Sequence, residues 1–253
     1  VQVGTTAERV REEAGTLHVE TDGGSYSGDK LLLAVGRRPN VEALALEEAD
    51  VAYSERGIQV DDQLRTSQPH IFAIGDCLGS FQFTHYADWQ GRTAARNALL
   101  PGLSRGRRDW VPWTTFTEPE VAHAGLTEAE ARDRYASDVD VLTISTEEMD
   151  RPRAESDPEG FVKVVHRGRE VLGVTLVAAR AGESLHEWIH LLEGHLSVQD
   201  LATTIRIYPT YSRINLWAAG RLLELRLRGG LRGELLTALS KVALRWMRFW
   251  QGF

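Results

Sequence analysis

Residues 70–76 read His70-Ile71-Phe72-Ala73-Ile74-Gly75-Asp76, an apolar run that closes on a glycine and an aspartate. The run is short and β-compatible, so it predicts a buried strand. Gly75 would let a ligand approach the backbone, and Asp76 would place a carboxylate at the end of the strand, where open α/β sheets bind ligands. The alternative interpretation is that Asp76 only caps a turn.

Three neighbouring segments place this strand in an α/β context. Residues 30–35 form a second apolar run, which ends at Gly36 and predicts another buried strand. A short helix is predicted near 41–48. Thr84 is a good N-cap for a helix at about 85–99, one side of which carries small residues. These are Ala87, Gly91, Ala94, Ala95 and Ala98.

From residue 109 the pattern changes to that of an α+β domain. Strands are predicted at 110–117, 139–146, 161–166 and 170–178. Helices are predicted from Thr127, at 183–194, at 198–204 and at 212–227. The sequence therefore predicts an α/β part followed by an α+β part.

Residues 231–250 predict a basic amphipathic helix. Apolar side chains recur there every three or four residues, and most of the arginines and the lysine lie off that stripe. The helix has two interpretations: it packs across a dimer, or it lies on an anionic membrane surface through Trp246, Phe249 and Trp250.

The composition is that of a globular protein, with 253 residues of which 42% are hydrophobic and 26% charged. A single cysteine, Cys77, excludes a disulfide framework and zinc sites built on paired cysteines. No apolar run is long enough to cross a membrane. The net charge of −7 argues against nucleic-acid binding, because phosphate contacts require clustered cations. We expect a cytoplasmic protein, with membrane contact at the inner face only if 231–253 provides it.

Three motifs carry a resemblance to a known family. Residues 31–40 read LLLAVGRRPN, residues 66–76 read TSQPHIFAIGD, and residues 116–122 read FTEPEVA, shortly after Val111-Pro112. In this order and spacing they resemble the flavoprotein disulfide reductases, which include dihydrolipoamide dehydrogenase, glutathione reductase and mercuric reductase. The resemblance covers nearly all of residues 1–227.

The resemblance implies a domain layout. Residues 1–35 would be the end of an NAD(P)-binding domain, and residues 36–108 the second segment of a FAD-binding domain. Residues 109–227 would be the interface domain, through which the family forms homodimers. Residues 228–253 lie beyond the resemblance, and their apolar spacing and charge make them a predicted basic amphipathic tail.

The resemblance also implies a flavin site. Asp76 would bind the ribityl chain of FAD, and Phe83, Thr84 and His85 would lie along the pyrimidine side of the isoalloxazine. The remaining residues placed at the cofactor are Gly36, Arg37 and Gly75. The complete protein would also use NAD(P)H.

Features of the family that lie upstream of these motifs are missing from the chain. They are the glycine-rich ADP-binding turn, the redox-active cysteine pair and the GxGxxG turn of the NAD(P) domain. The chain also starts at Val1. We therefore expect the later part of a longer oxidoreductase, carrying half of a flavin site and inactive alone. The alternative is a non-catalytic dimerisation or membrane-docking module derived from such an enzyme.

The catalytic corner that the resemblance implies is altered. Where the family has His-Pro-Thr-x-Ser-Glu, this chain has Tyr208-Pro209-Thr210-Tyr211-Ser212-Arg213. Tyr208 is a poor base at neutral pH, and Arg213 cannot accept a proton, so reduction of an ordinary dithiol substrate is in doubt. Mercuric reductases also have a tyrosine at this position, but the cysteine pair at their C-terminus is absent from this chain. The alternative is that Tyr208 is a packing residue in a degenerate site.

Two further motifs have structural interpretations that we prefer. Residues 186–190 spell HExxH, which on a helix can bind zinc, but no third ligand is evident and the segment matches a helix of the interface domain. We assign no metal site. Cys77 could be a reactive thiol beside a helix start, but a small buried filler is the better interpretation.

Overall fold

The computed structural model describes residues 1–100, 104–157 and 159–228. The predicted amphipathic tail at 231–253 therefore lies outside the described residues, and so does the question of its membrane contact. Within the described part of the chain, no helix is long and apolar enough to cross a membrane.

The chain begins with a three-stranded antiparallel sheet. Its strands are β1 (Ala7–Glu13), β2 (Thr16–Thr21) and β3 (Gly24–Gly28), in the order β1-β2-β3. Asp22 and Gly23 form the turn between β2 and β3. β1 and β3 are exposed along their whole length, so this sheet contributes little to the core.

The predicted strand at 30–35 is wrong for this structure. The segment has no regular secondary structure, and its apolar side chains are exposed, with Leu32 at 87% and Val35 at 91%. An extended apolar run becomes a buried strand only when neighbouring strands satisfy its backbone groups. Among the strands described here, none pairs with this run.

The predicted strand at 70–74 is also wrong. Its only ladder contact among the described residues is an isolated bridge between Phe72 and Arg65. Ala73 is buried in a small cluster with Val41, Leu46, Val51 and Ile58. The run then turns into a 3₁₀ helix, Gly75–Leu78, instead of ending at a sheet edge.

The helix predicted near 41–48 is replaced by successive turns. Ala45 and Asp50 have positive φ angles of 46° and 52°, which no right-handed helix accommodates. A two-stranded sheet follows, made of β4 (Tyr53–Ser54) and β5 (Gly57–Ile58).

Helix α1 (Thr84–Leu99) confirms the predicted helix but corrects its cap. Thr84 is the first helical residue, and the N-cap is Phe83, which makes no side-chain capping bond. Of the small residues predicted on one side of this helix, Ala87, Gly91 and Ala94 are buried or partly buried, whereas Ala95 and Ala98 are exposed, so only part of the set packs. A Cβ on Gly75 would lie 2.8 Å from the Cβ of Ala87, and one on Gly91 would lie 3.4 Å from the Cδ1 of Ile74.

The second part of the chain contains a five-stranded antiparallel sheet in the order β6-β7-β10-β9-β8. Its strands are β6 (Trp113–Thr115), β7 (Glu120–Gly125), β8 (Asp140–Ser145), β9 (Phe161–Arg167) and β10 (Glu170–Ala178). The predicted strands at 139–146, 161–166 and 170–178 are confirmed to within a residue at each end. Only 113–115 of the predicted strand at 110–117 is β-structure.

Helices accompany this sheet, and α4, α5 and α7 contact its strands. They are α2 (Glu128–Tyr135), α3 (Asp150–Ala154), α4 (Ala181–Ser184), α5 (His186–Leu192), α6 (Val198–Thr203) and α7 (Arg213–Arg228). A short 3₁₀ helix, Ala136–Asp138, follows α2. Capping boxes start α2 at Thr127 and α6 at Ser197, which is the local reason for these helix starts.

The main core lies between this sheet and helices α4 to α7. Its fully buried side chains include Trp188, Leu176, Leu185, Val162, Val174, Ile214 and Leu222. Asn215 of α7 accepts a hydrogen bond from the indole Nε1 of Trp188 at 2.7 Å and donates one to the carbonyl of Ser184 at 2.7 Å. These bonds fix α7 against α4 and α5.

Candidate functional site

A cleft of about 590 Å³ opens where the start of α1 meets the second part of the chain. The first part contributes Arg37, Gln82, Phe83, Thr84 and His85. The second part contributes Pro112, Trp113, Thr114, Phe116, Glu120, Gly182, Glu183, Leu185, His186 and Ile189. The cleft is therefore built by segments that lie far apart in sequence, from Arg37 to Ile189.

Helix α1 directs its N-terminus into this cleft. The first N–H groups of an α-helix have no partner within the helix, and Phe83 supplies no side-chain cap. The uncapped end of this 16-residue helix therefore favours an electronegative group in the cleft. The rings of Phe83 and His85 stack with their centroids 5.3 Å apart.

His85 joins the two parts of the chain at the cleft. Its Nε2 lies 2.8 Å from the carbonyl oxygen of Pro112, to which it donates, since a carbonyl can only accept. This bond holds the first turn of α1 against the segment that leads into β6. The predicted site residues Phe83, Thr84 and His85 thus all line one cleft.

Arg37 and Asp76 lie close together at the edge of the site formed by the 3₁₀ helix Gly75–Leu78. Arg37 Nη2 donates to the carbonyl of Gln82 at 2.6 Å, and its Nη1 lies 4.0 Å from Asp76 Oδ2. Arg37 lines the cleft, whereas Asp76 does not. The Asp76 carboxylate is more than half exposed, so it is not sealed in the core and is free to accept hydrogen bonds.

The two predicted glycines differ in what the structure demands of them. Gly75 has a φ of +72° and no room for a Cβ, because Ala87 lies against it. Gly36 has a φ of +123° in open space. Both positions favour glycine, but only Gly75 is enclosed by packing.

The far wall of the cleft carries residues that we did not predict as site residues. Glu120 accepts a hydrogen bond from the N–H of Gly182 at 3.0 Å, while Phe116 exposes 82% of its surface. Both belong to the FTEPEVA motif, which was the available signal. His186 reaches the cleft from α5, and nothing in its local sequence indicated that position.

The glutamate of the HExxH segment makes structural contacts within the second part of the chain. Glu187 is held by Arg206 and by the Asn215 amide, which donates to it at 2.9 Å. Within residues 1–100, 104–157 and 159–228, no cluster of three His, Cys, Asp or Glu side chains could hold a metal ion. The glutamate is therefore a structural residue of α5.

Cys77 is half-buried beside the small apolar cluster, with its Sγ 3.1 Å from the carbonyl of Ile74. Burial raises the pKa of the Cys77 thiol, so the reactive thiolate is disfavoured. This environment supports the filler interpretation.

Tyr208 and Arg213 lie apart from the cleft: Tyr208 is in the turn before α7, and Arg213 is the first residue of that helix. The Tyr208 hydroxyl donates to Asp150 Oδ2 at 2.7 Å, and the Arg213 guanidinium lies 5.1 Å from the centroid of the Tyr208 ring. The hydrogen bond to Asp150 raises the pKa of Tyr208, which keeps the phenol neutral. In this one chain the structure does not bring Tyr208 or Arg213 to the residues predicted to bind the cofactor.

Two family models match the chain. Residues 1–91 match the model described as pyridine nucleotide-disulphide oxidoreductase, and residues 111–219 match that of the dimerisation domain of the same family. Together they cover both sides of the cleft.

Among curated proteins, the chain is similar to dihydrolipoyl dehydrogenase of Bacillus subtilis, at 31% identity over 81% of this chain and 44% of the relative. It is also similar to mercuric reductase of Acidithiobacillus ferrooxidans, at 35% identity over 81% of this chain and 38% of the relative. The chain thus spans less than half the length of these relatives.

Solved structures show the same likeness. The flavoprotein disulfide reductase RclA from Escherichia coli superposes with a TM-score of 0.75 at 26% identity, over 85% of this chain and 50% of that one. LpdA from Mycobacterium tuberculosis superposes with a TM-score of 0.77 at 29% identity, over 86% of this chain and 48% of that one. The mixed α/β architecture is therefore shared with these proteins.

Proposed function

The chain belongs to the pyridine nucleotide-disulphide oxidoreductase family, and from that premise we propose that it supplies one wall of a flavin site and a dimer interface to a FAD- and NAD(P)H-dependent oxidoreductase. The observation that carries the proposal is the cleft at the start of α1, into which an uncapped helix end and Arg37 converge. Alone, this chain would hold only part of the catalytic apparatus.

The proposed domains follow the predicted boundaries. The 1–91 match spans the proposed NAD(P)-domain end at 1–35 and most of the FAD-domain segment at 36–108. The 111–219 match lies inside the proposed interface domain at 109–227. Both placements support the layout.

The residues around the cleft fit a flavin. A stacked Phe83–His85 pair offers an aromatic surface, and the free N–H groups of α1 would stabilise negative charge that develops on a ring placed against them. Asp76 would accept hydrogen bonds from hydroxyl groups of a sugar-alcohol chain, and Gly75 keeps the backbone close to α1. When bound, FAD would supply the hydride and electron transfer, as it does in this family.

Equilibrium dialysis of the full chain against FAD tests this proposal. We expect measurable binding that weakens about tenfold in Asp76→Ala, the loss typical of a charge-assisted hydrogen bond. Asp133→Ala is the matched control, because it removes an exposed carboxylate on α2, away from the cleft. Failure of the wild-type chain to bind FAD, or equal weakening by both substitutions, would refute the proposed site.

We also propose that the chain forms a homodimer through 109–227. The family match to a dimerisation domain supports it. Exposed apolar residues in the loop before α7 support it as well, because Ile205 and Ile207 expose 98% and 81% of their surface. Burial of such side chains against a second copy would remove them from water.

A second candidate is a non-catalytic dimerisation module. Tyr208 and Arg213 favour it, since they replace the histidine and the acid that the family uses, and neither acts as a base at neutral pH. Dialysis distinguishes the two: a dimer that binds no FAD would favour the module.

A further inference from the structure

Asp150 contacts a residue that lies 58 positions further along the chain. Its Oδ2 accepts the hydroxyl proton of Tyr208 at 2.7 Å. The backbone of Asp150 is well anchored, because Asp150 is the first residue of α3 and directly follows Met149. Met149 is only 2% exposed and donates its N–H to the carbonyl of Thr146 at 2.9 Å. The carboxylate is therefore presented from a fixed backbone.

The face of the Tyr208 ring is also occupied. The Arg213 guanidinium lies over its ring, 5.1 Å from the centroid, which is a cation–π distance. Arg213 also donates its N–H to the carbonyl of Thr210 at 3.3 Å, so it is tied to the same turn. Asp150 and Arg213 thus restrict the phenol at its hydroxyl and at its face.

A second tyrosine of the turn is bound to α3 in the same way. Tyr211 donates its hydroxyl proton to Glu155 Oε2 at 2.6 Å, at the C-terminal end of α3. Unlike Tyr211, which is buried, Tyr208 remains 58% exposed although its proton is bound. The turn therefore offers solvent one fixed phenol, that of Tyr208.

We propose that Asp150 is a positioning residue for Tyr208, which it holds as an exposed hydrogen-bond acceptor. A phenol hydroxyl has one proton and two lone pairs. Because the O–H of Tyr208 is already donated to Asp150, an incoming group meets the lone pairs of the phenol oxygen, and the bond to a carboxylate polarises that oxygen further. Tyr208 would therefore favour a ligand that donates a proton in a hydrogen bond, such as a thiol S–H or an N–H, over an anion.

The contact between Asp150 and Tyr208 does not depend on the proposed function. Only the role of Tyr208 towards a ligand rests on it. If the chain forms part of an oxidoreductase in which Tyr208 faces a thiol or a substrate, Asp150 determines which side of the phenol that group meets. Asp150 would then orient the neutral phenol of Tyr208, and it would not assist a catalytic base.

The test places 3-fluorotyrosine at position 208 of the full chain and follows its ¹⁹F resonance through a pH titration. Asp150→Asn should lower the pKa of the phenol and shift its resonance, because the amide carries no charge. Glu155→Gln is the matched control, since it removes the equivalent acid from Tyr211 and should leave position 208 unchanged. Thermal unfolding of each variant checks that the fold is retained.

Hydrogen exchange provides a second measurement that does not depend on the label. We expect the amides at 207 and 208 to exchange about fivefold faster in Asp150→Asn and in Tyr208→Phe, as expected when one hydrogen bond holding a loop is lost. Glu155→Gln should not reproduce this increase at 207 and 208.

The outcomes separate the alternatives. An unchanged titration and exchange in Asp150→Asn would overturn the proposal, and equal changes in Glu155→Gln would show that α3 acts only as a general support. FAD is absent from these experiments. A chain that fails to bind FAD therefore refutes the proposed function without affecting this result, and the reverse also holds.

Discussion

The side chain of Gln90, on α1, holds the backbone of Gly75 in place. The Oε1 of Gln90 accepts the N–H of Gly75 at 2.8 Å, and its Nε2 donates to the carbonyl of Gly106 at 3.0 Å. Gln90 is 1% exposed, so these bonds are made away from water. One buried amide of α1 thus connects the turn before Asp76 to the segment that leads into the second part of the chain.

Replacement of Gln90 by alanine should lower the free energy of unfolding by about 3 kcal/mol, because it leaves two buried backbone groups without partners and opens a cavity. Chemical denaturation measures the change. Gln59→Ala is the control, since Gln59 is exposed, and it should have little effect. A small loss in Gln90→Ala would show that water replaces the amide.

Gly75→Ala should destabilise the chain by about 2 kcal/mol or more, because the residue has a φ of +72° and its new Cβ would lie 2.8 Å from that of Ala87. The same denaturation measurement applies. Gly28→Ala is a suitable comparison, since its nearest contact is 3.8 Å away and its φ is not positive. Equal stability of the two variants would contradict the packing described for α1.

The buried histidine of β7 should make folding sensitive to acid. His123 Nε2 donates to the carbonyl of Gly125 at 3.1 Å, so in the neutral ring Nδ1 accepts the hydroxyl of Thr175 at 2.9 Å. Burial lowers the pKa of His123 from its usual 6.5. Below that pH the unfolded chain binds a proton that the folded chain refuses, so stability is retained above about pH 6.5 and falls as the pH decreases.

The free energy of unfolding, measured from pH 8 to pH 5, checks this prediction. His123→Gln should flatten the acid side of the curve, although burial also lowers the pKa of His166 and will leave part of the slope. His70→Gln, which removes an exposed histidine, is the control. An identical slope in wild type and His123→Gln would exclude His123 as a source of acid sensitivity.

Ile207→Glu should raise the dissociation constant of the proposed homodimer at least about tenfold. Ile207 is exposed in the single chain, and the proposed dimer would bury it, so the substitution would bury a charge at the interface. Sedimentation velocity over a range of concentrations measures the effect. Leu44→Glu changes an exposed leucine outside 109–227 and should leave the dimer intact. A dimer unaffected by Ile207→Glu would place the interface elsewhere.

Local patterns were sufficient where structure forms between sequence neighbours. The strands at 139–146, 161–166 and 170–178 were predicted because β8, β9 and β10 pair in sequence order, each with a partner close along the chain. The helix starts at Thr127 and Ser197 are set by capping boxes within four residues. Such elements depend on contacts that the sequence itself places next to each other.

Local patterns failed where a strand requires a distant partner. The apolar runs at 30–35 and 70–74 have the composition of buried strands, but the described residues provide no ladder for the first and a single bridge for the second. Hydrophobic composition shows that a segment tends to be buried. It does not show which neighbour buries it.

The sequence by itself determined the family, through three motifs in a fixed order, and it assigned Phe83, Thr84 and His85 to one site. Only the tertiary structure decided that Glu120 and His186 form the opposite wall of that site and that Asp150 binds Tyr208. The physical reason is that motifs report short-range backbone requirements, such as a glycine at positive φ or a helix start. A cleft or a hydrogen bond between residues 58 positions apart arises only when the chain has packed.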